Sequence, residues 1–253
     1  MRVIVTGGRS AIGEAIIKRR LDFGDHVLTT ASSEVTLADL KAKLPNTPQF
    51  ESCLWNLSTP EKNSTEVRNF ISQGVDALVL NASAPTRTLK RLHEISDAEI
   101  QDSFQTQMYG NAWLIRECLP KMMEQKFGRI VFISSMAIHG TSRYCLYSMA
   151  KSGIEGLLKV VGTDYGEYNI RANILRPGVI ATDRNKRFWA RSDYMKLMTE
   201  LIPSKSLGEA IGIAEATDPL LGPNCYMNSS VIEVSGGFPN IRSDFMTTVK
   251  LKD

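Results

Sequence analysis

The chain has 253 residues, of which 43% are apolar and 23% are charged, and it carries a net charge of +3. These proportions exclude a disordered, collagen-like or disulfide-stapled chain and are typical of a globular protein. So small a charge gives no basic surface for nucleic acid or an anionic membrane. No apolar run approaches the roughly 20 residues that cross a bilayer. We therefore expect an α/β enzyme with no nucleic-acid or membrane partner.

The N-terminus and the cysteines indicate a compartment. Arg2–Val5 is already strand-like, so we expect no signal or transit peptide. The cysteines lie far apart, without a C-x-x-C pair or a His at ligand spacing. They are Cys53, Cys118, Cys145 and Cys225. We expect reduced thiols, no metal site and a cytoplasmic location.

Short apolar runs alternate with stretches of helical period along the chain. The runs that predict buried parallel strands are 3–5, 26–28, 77–80, 130–133, 171–175 and 231–234. The predicted helices are 12–23, 34–44, 60–73, 96–124, 146–168 and 185–200, with 34–44 and also 201–224 left open between loop and helix. Repeated strand–helix units predict a doubly wound α/β sheet. No repeat or linker interrupts the pattern, which predicts a single domain over residues 1–253.

The first predicted strand leads directly into a glycine-rich turn, Thr6–Gly13. Glycine permits positive φ and lets phosphate oxygens reach the N–H groups at a helix start, where the helix dipole favours an anion. A glycine turn alone is weak evidence, but its position after the first strand favours a dinucleotide site. The turn residues that we expect at the cofactor are Gly7, Arg9, Ser10, Ile12 and Gly13.

The end of the second strand selects the cofactor. An acidic side chain there binds the adenosine ribose hydroxyls and repels a 2′-phosphate. This chain has Ala31 and Ser32 at that point, and no carboxylate occurs before Glu34. Arg9 is either a partner for the phosphate or a solvated surface charge. The sequence favours NADP(H), with NAD(H) as the alternative.

A Tyr and a Lys, Tyr147 and Lys151, stand four residues apart near the start of a predicted helix. Helical spacing brings both side chains to one face. A phenol with a pKa of about 10 is a poor acid–base near neutrality, and a neighbouring ammonium lowers that pKa because it favours the phenolate. The pair therefore suits proton transfer at an alcohol oxygen during hydride transfer. The alternative is an accidental pair on a helix surface.

Two hydroxyls, Ser134 and Ser135, follow the strand that ends at Ile133. Doubly wound folds bind ligands at this carboxyl edge of the sheet. A Ser there can hydrogen-bond the substrate oxygen, and the alternative is capping of a helix or turn. We expect at least one of the two to have only the capping role.

Taken in this order, the motifs resemble the short-chain dehydrogenase/reductase family of the Tyr-x-x-x-Lys type, from Thr6 to about Gly237. Further stretches that match the family pattern are Asn56-Leu57, Asn81-Ala82-Ser83, Arg176-Pro177-Gly178 with Thr182, and Ser235-Gly236-Gly237. The resemblance implies a doubly wound Rossmann-type three-layer αβα sandwich with about seven parallel strands. It also implies an oxidoreductase that interconverts a ketone and a secondary alcohol, assembled as a homodimer or homotetramer.

The resemblance also assigns roles to residues. Tyr147 would be the general acid–base, Lys151 would bind the nicotinamide ribose, and Ser135 would orient the substrate oxygen. Ser135 precedes Tyr147 by one position fewer than is usual in the family, so Ser134 is kept in reserve. The residues expected at the cofactor are Gly7, Arg9, Ser10, Ile12, Gly13, Ser32, Asn56, Leu57, Asn81, Ala82, Ser83, Tyr147, Lys151, Pro177, Gly178, Val179 and Thr182.

Some positions depart from the family pattern. Ala11 replaces the middle Gly of the turn, and Ser83 replaces the last Gly of the Asn-Ala-Gly segment. Gln107 falls where the family has an Asn that helps a water connect the Lys to solvent, and Asn111 is a weaker candidate for that catalytic role. These departures favour one alternative, a catalytically silent dinucleotide-binding regulator or partner subunit.

The resemblance places a substrate lid at residues 182–203. The lid carries Phe188, Trp189, Tyr194, Met195, Leu197 and Met198. Such side chains suit the cover of an apolar pocket for a small carbonyl or alcohol, and the alternative is a helix packed on the domain or a neighbouring subunit. We expect the tail, residues 238–253, to cross onto a partner subunit.

Overall fold

One parallel sheet forms the centre of the molecule. The computed structural model describes residues 1–83 and 89–238. The strands are β1 (Arg2–Thr6), β2 (His26–Ala31), β3 (Phe50–Leu54), β4 (Ala77–Leu80), β5 (Gly128–Ile133), β6 (Ile170–Pro177) and β7 (Val231–Val234). They pair in the order β3-β2-β1-β4-β5-β6-β7, and every pair is parallel. This order confirms the doubly wound Rossmann-type sheet of seven strands.

Helices cover both faces of the sheet. They are α1 (Ala11–Asp22), α2 (Glu34–Lys43), α3 (Thr65–Ser72), α4 (Asp97–Ser103), α5 (Gly110–Gln125), α6 (Cys145–Asp164), α7 (Lys186–Trp189), α8 (Ser192–Leu201) and α9 (Ala210–Leu221). One buried apolar cluster contains side chains of α3, α5 and α6. A second contains side chains of α1, α2 and α9. The two clusters confirm the three-layer αβα arrangement.

The central strands are apolar because helices cover them on both faces. Residues 3–5, 77–80 and 130–133 are all buried. Strand β3, in contrast, is mostly half-buried or exposed and pairs only with β2 at the edge of the sheet. Its sequence, FESCL, contains no apolar run, which is why the strand pattern did not include it.

The long helix predicted over 96–124 was wrong as a single element. α4 ends at Ser103, a π-helical segment runs over Phe104–Tyr109, and α5 begins at Gly110. A π-helical turn holds an extra residue, so the side chains before and after it do not continue along one α-helical face.

The other helix boundaries also differ from the predicted ones. The stretch 60–73 is helical only within α3, and 185–200 is divided between α7 and α8. The open stretches 34–44 and 201–224 contain α2 and α9. Pro219 lies inside α9, in the last turn of that helix, where the apolar face still packs on the sheet.

The sheet order creates a crevice between β1 and β4. β1 pairs with β2 on one side and with β4 on the other, so the connections that leave β1 and β4 cover opposite faces of the sheet. Ligands of doubly wound folds bind at this switch point, outside the carboxyl ends of the strands. The predicted glycine turn and Asn81 both lie there.

The described part of the chain has no helix long and apolar enough to span a bilayer. Its His, Cys, Asp and Glu side chains form no group of three that could bind a metal ion. All four cysteines are free thiols. The cytoplasmic location and the single-domain boundary stay predictions.

Candidate active site

A tight turn without room for side chains joins β1 to α1. Gly7 adopts a φ of +71°, and a Cβ atom on it would lie 2.8 Å from the Cα of Ala82. A Cβ atom on Gly13 would overlap the carbonyl oxygen of Gly7. Ser10 begins α1, because its Oγ accepts a hydrogen bond from the N–H of Gly13 at 3.1 Å. The backbone therefore requires glycine at both positions.

Asn81, at the carboxyl end of β4, fastens this turn to the sheet. Its amide Nδ2 donates to the carbonyl oxygens of Thr6 and Gly7 at 3.1 and 2.9 Å and approaches Ser10 Oγ at 3.0 Å. The Oγ1 of Thr6 accepts from the N–H groups of Asn81 and Ala82 at 3.1 and 3.0 Å. The predicted cofactor residues of β1 and β4 thus form one hydrogen-bonded unit.

The turn has the features of a phosphate-binding site. Without Cβ atoms, Gly7 and Gly13 let the turn pack closely against Asn81 and Ala82, and the N–H groups and the helix dipole at the N-terminus of α1 favour a phosphate. Ala11, which departs from the family pattern, lines a groove beside Ile211 of α9. Ile12 packs on the apolar cluster beneath α1.

The end of β2 presents polar groups without an acidic residue. Ser32 is exposed, and Ser33 caps α2 by accepting from the N–H of Thr36 at 3.3 Å. Arg9 Nε lies 3.1 Å from Asp39 Oδ2 of α2, and both side chains are exposed. Asp39 was not considered in the sequence analysis. The guanidinium is therefore oriented by α2, the helix that follows β2.

Asn56 and Leu57 follow β3 at the same edge of the sheet. Asn56 Oδ1 accepts from the N–H and the Oγ of Ser58 at 3.0 and 2.9 Å, which fixes the chain in an Asx turn. The backbone of Leu57 lies against Gly110 so closely that a Cβ atom there would overlap the carbonyl of Leu57. This contact positions the segment against the start of α5.

Tyr147 and Lys151 lie on one face of α6, as their spacing predicts. Lys151 is buried, and its Nζ donates to the carbonyl oxygen of Ile133 at 2.7 Å. The same Nζ is 5.6 Å from the centre of the Tyr147 ring. The Tyr144 ring packs edge-on against that of Tyr147, at 5.9 Å between centres. The ammonium is therefore fixed beside the phenol.

Ser135 lies between β5 and α6 and begins a short 3₁₀ helix, Met136–His139. Its Oγ accepts from the N–H of Ala137 at 3.1 Å. Ser148 Oγ donates to the carbonyl of Ala137 at 3.1 Å, which ties this segment to the first turn of α6. The hydroxyl of Ser135 is half-buried and keeps its own proton for an acceptor.

Ser134 has a different partner. Its hydroxyl is buried and donates to Glu155 Oε1 at 2.5 Å. Arg176 binds the same carboxylate, with Nε at 3.0 Å from Oε1 and Nη2 at 2.6 Å from Oε2. Glu155 and Arg176 were missed as site residues, because charged residues carry no signal of burial in a single sequence. The proton of the Ser134 hydroxyl is therefore committed to Glu155.

Two of the departures from the family pattern are hydrogen-bonded to each other. Ser83 Oγ donates to Gln107 Oε1 at 3.0 Å, and Gln107 Nε2 donates to Ser103 Oγ at 3.1 Å. Asn111 Nδ2 donates to the carbonyl oxygen of Gln107 at 2.6 Å. Gln107 lies in the π-helical segment. Its hydrogen bond with Ser83 connects this segment to the chain that follows β4.

The segment after β6 begins at the same carboxyl edge of the sheet. Pro177 ends β6, and a Cβ atom on Gly178 would lie 2.7 Å from the Cα of Ser235. The carbonyl of Val179 accepts from the N–H of Gly208 at 3.0 Å. These contacts position the chain before the lid.

Thr182 marks the start of the predicted lid. Its N–H and its Oγ1 both donate to Asn185 Oδ1 at 2.9 Å, and its carbonyl accepts from Trp189 Nε1 at 2.9 Å. Tyr194 and Met198 are half-buried along one face of α8, and burial raises the pKa of Tyr194. The side chain of Phe188 and residues 239–253 of the predicted tail lie outside the described residues.

The chain matches the family model of short chain dehydrogenases over residues 1–193. It belongs to the short-chain dehydrogenase family. It is 30% identical to the 3-oxoacyl-[acyl-carrier-protein] reductase FabG of Haemophilus influenzae over 243 residues, which cover 92% of this chain and 96% of that protein. Its fold is similar to that of 4-hydroxyisoleucine dehydrogenase complexed with NADH, with a TM-score of 0.84 and 22% identity over 95% of this chain and 99% of the other.

A further structural relative is YwfH, an NADPH dependent reductase involved in bacilysin biosynthesis. Its TM-score is 0.83 at 21% identity, and the match covers 93% of this chain and 97% of that one. Membership of the short-chain dehydrogenases makes the chain an NAD(P)-dependent oxidoreductase that acts on CH–OH groups.

Proposed function

We propose that the chain interconverts a ketone and a secondary alcohol with NADP(H), and that Tyr147 is the general acid–base. The observation that carries the proposal is the buried ammonium of Lys151, held by Ile133 at 2.7 Å and 5.6 Å from the ring centre of Tyr147. A positive charge at this distance favours the phenolate over the phenol. Ser135 supplies a hydroxyl at the carboxyl edge of the sheet.

In reduction, Tyr147 donates its proton to the carbonyl oxygen as that oxygen gains negative charge, and Ser135 hydrogen-bonds the same atom. When bound, the nicotinamide would supply a hydride to the carbonyl carbon in reduction and would accept it from the alcohol carbon in oxidation. Lys151 compensates the charge of the resulting phenolate. In oxidation, the phenolate removes the alcohol proton, and Ser135 again holds the oxygen.

Replacing Tyr147 with Phe tests this assignment. We expect kcat to fall by about 10²–10⁴ because the proton donor is lost, while the Kd of the cofactor changes less than about twofold, since Phe keeps the ring. Tyr226→Phe removes a hydroxyl at a position 93% exposed and serves as the control. Full turnover by Tyr147→Phe would exclude Tyr147 as the acid–base.

We propose that NADP(H) is preferred to NAD(H). Ser32 offers a hydroxyl where a carboxylate would repel the 2′-phosphate. Arg9, in the glycine turn, would supply a positive charge for that phosphate, and its Nε lies 3.1 Å from Asp39 Oδ2 of α2. Fluorescence titration with NADPH and NADH measures the preference, and Arg9→Gln is expected to weaken NADPH binding about 5- to 50-fold, with little effect on NADH. Tighter binding of NADH than of NADPH by the unaltered protein would contradict the preference.

The substrate class follows from a carbonyl panel once the cofactor is known. The relationship to FabG makes 3-oxoacyl thioesters the first compounds to test, beside cyclic and aliphatic ketones. The half-buried face of α8, with Tyr194 and Met198, supports an apolar substrate under the lid 182–203. Cofactor binding without turnover on any member of the panel would favour the alternative, a silent dinucleotide-binding regulator.

We propose that the chain assembles as a homodimer or homotetramer. A groove between the π-helical segment and α6 exposes apolar side chains, among them Phe104 and Tyr109, beside Leu157. Light scattering on the purified protein tests self-association, with masses at multiples of 28.1 kDa as the expected result. A concentration-independent monomer would contradict it.

A further inference from the structure

Two adjacent residues at the end of β5 are held by successive positions on one face of α6. Lys151 Nζ donates to the carbonyl of Ile133 at 2.7 Å, while Ser134 Oγ donates to Glu155 Oε1 at 2.5 Å. Residues four apart on a helix share a face, so Tyr147, Lys151 and Glu155 form one row. The row fixes the backbone immediately before the hydroxyl of Ser135.

Arg176 of β6 balances the charge of Glu155. The two side chains form a bidentate pair, with Nε–Oε1 at 3.0 Å and Nη2–Oε2 at 2.6 Å. They are 16% and 5% exposed, so water screens the pair poorly. Every polar atom of the carboxylate therefore has a protein partner, and its charge is neutralised one helical turn from Lys151.

We propose that Glu155 is a positioning residue of the active site. With Arg176 it forms a charge-balanced clamp that holds Ser134, and thereby Ser135, one helical turn from Lys151. The inference rests on the proposed role of Tyr147 as acid–base. It predicts that removing the negative charge of Glu155 lowers the pKa of Tyr147. Removing the positive charge of Arg176 should raise that pKa.

The clamp has charged neighbours on each element that packs against it. Arg176 Nη1 also lies 3.4 Å from Glu233 Oε1 of β7, and His139 Nε2 lies 3.1 Å from the same oxygen. Among the described residues, the titratable and charged groups with a contact to the row or the clamp are Tyr144 and Lys151 beside Tyr147, Arg176 on β6, Glu233 on β7 and, through Glu233, His139 in the 3₁₀ helix. Glu233 and His139 are 38% and 42% exposed, so solvent screens them more than it screens the clamp.

A set of charge variants tests the clamp. Glu155→Gln keeps an acceptor for Ser134 but leaves Arg176 unbalanced, so the midpoint of the pH profile of kcat should move down by about one pH unit. Arg176→Gln leaves a buried carboxylate and should move the midpoint up by a similar amount. The double variant should return it to within about 0.3 units of the unaltered protein.

A second readout is independent of turnover. The near-ultraviolet absorbance of tyrosinate, measured against pH and corrected with Tyr147→Phe, reports the ionisation of Tyr147 directly and should show the same shifts. Glu233→Gln removes an equal charge from the other side of Arg176 and is the matched control. Its shift should be less than about a third of that of Glu155→Gln because of its exposure.

Several results would overturn the inference. One is a folded Glu155→Gln protein whose kcat midpoint and Tyr147 titration equal those of the unaltered protein. Another is a double variant that keeps the full shift of Glu155→Gln. Should Arg176→Gln fail to fold, Glu155→Gln and the double variant still decide the question. Retained activity in Tyr147→Phe would instead reject the proposed function itself, which separates the two failures.

Discussion

The carbonyl of Gly7 determines what residue 13 can be. A Cβ atom on Gly13 would overlap that oxygen, and the oxygen also accepts hydrogen bonds from Ser10 and Asn81. Gly13→Ala must therefore displace the turn, and we expect a loss of about 1–3 kcal/mol in the free energy of unfolding together with at least tenfold weaker cofactor binding. Urea denaturation and fluorescence titration measure the two effects.

The matched control is a glycine with free space around it. Gly156 lies in α6, and a Cβ atom there meets nothing within 4 Å. Gly156→Ala should raise stability by up to about 1 kcal/mol through helix propensity and leave cofactor binding unchanged. Equal behaviour of the two variants would contradict the steric account of the turn.

Candidate site residues could be proposed from the sequence where chemistry restricts the residue type. Tyr147 and Lys151 are such residues, since few side chains can share a proton with an alcohol oxygen. Ser134 and Ser135 were not separable in the sequence, because both hydroxyls follow the same strand. Glu155 distinguishes the two hydroxyls, because its Oε1 accepts a hydrogen bond from Ser134 Oγ at 2.5 Å. That contact joins residues 21 positions apart, beyond the reach of any local pattern.

At the scale of elements, the apolar runs predicted the strands that are buried on both faces. The pattern did not predict strand β3, because a strand at the edge of the sheet does not need an apolar run. The division of 96–124 was not predictable from periodicity, since the π-helical segment, FQTQMY, contains no Pro or Gly that would mark a break in the helix. Its position is set by tertiary contacts, such as the hydrogen bond between Ser83 and Gln107.

Helices α1 and α9 are joined by a charged contact that we expect to stabilise the fold. Asp218 of α9 accepts from Arg19 Nε at 2.6 Å and from Arg20 Nη2 at 2.7 Å, and the Arg20 side chain is 5% exposed. Asp218→Asn leaves the buried guanidinium of Arg20 with Asp25 as its remaining counter-ion among the described residues, so the free energy of unfolding should fall by about 1–3 kcal/mol.

The control for this contact is Glu215, which lies 3.7 Å from Arg19 at a position 57% exposed. Glu215→Gln should change stability by less than about 0.5 kcal/mol, because solvent screens the pair. Chemical denaturation of both variants at neutral pH measures the difference. Similar losses in the two variants would contradict the importance of burial.

The N-terminus of α4 carries a pH-dependent contact. Glu99 accepts from Lys90 and from Ser96, and these bonds lower the pKa of Glu99 from 4.5 to about 2. A carboxyl with a depressed pKa in the folded state stabilises above its unfolded pKa and loses that contribution as the pH falls. The stability difference between the unaltered protein and Glu99→Gln should therefore shrink between pH 4.5 and about 2.

NMR titration of the Glu99 side chain checks the cause of that dependence. Lys90→Met removes the largest contribution, so the pKa of Glu99 should move back toward 4.5. A Glu99 that titrates near 4.5 in the unaltered protein would show that these hydrogen bonds do not form in solution.

For the whole molecule, the parallel arrangement of the strands brings residues that are distant in the sequence to one edge of the sheet. All strands are parallel, so their carboxyl ends lie at the same edge of the sheet. Residues near 7, 81, 135 and 178, which follow four different strands, therefore lie along that edge although they are far apart in the sequence. This is why a coarse strand pattern was enough to predict which motifs share a crevice. The exact distances between these segments depend on side-chain contacts such as those of Asn81, whose amide donates to the carbonyl oxygens of both Thr6 and Gly7.

The buried thiols report on the stability of the whole molecule. Burial raises the pKa of Cys53 to about 12 and raises that of Cys118 further, so neither thiol supplies reactive thiolate while the chain is folded. Cys145 is half-buried and should react first with an alkylating reagent. Cys145→Ser removes this fast phase and leaves a reaction limited by unfolding.

Cofactor binding should then protect the buried thiols without any catalysis. A ligand that binds only the folded state lowers the unfolded population by the factor 1 + [L]/Kd, so NADPH at 100 times its Kd should slow labelling of Cys118 about 100-fold. Mass spectrometry of the Cys145→Ser protein follows the reaction, and Gly13→Ala in the same background should lose most of the protection. Labelling of Cys118 at one rate with and without NADPH and NADH would mean that the crevice between β1 and β4 binds neither dinucleotide.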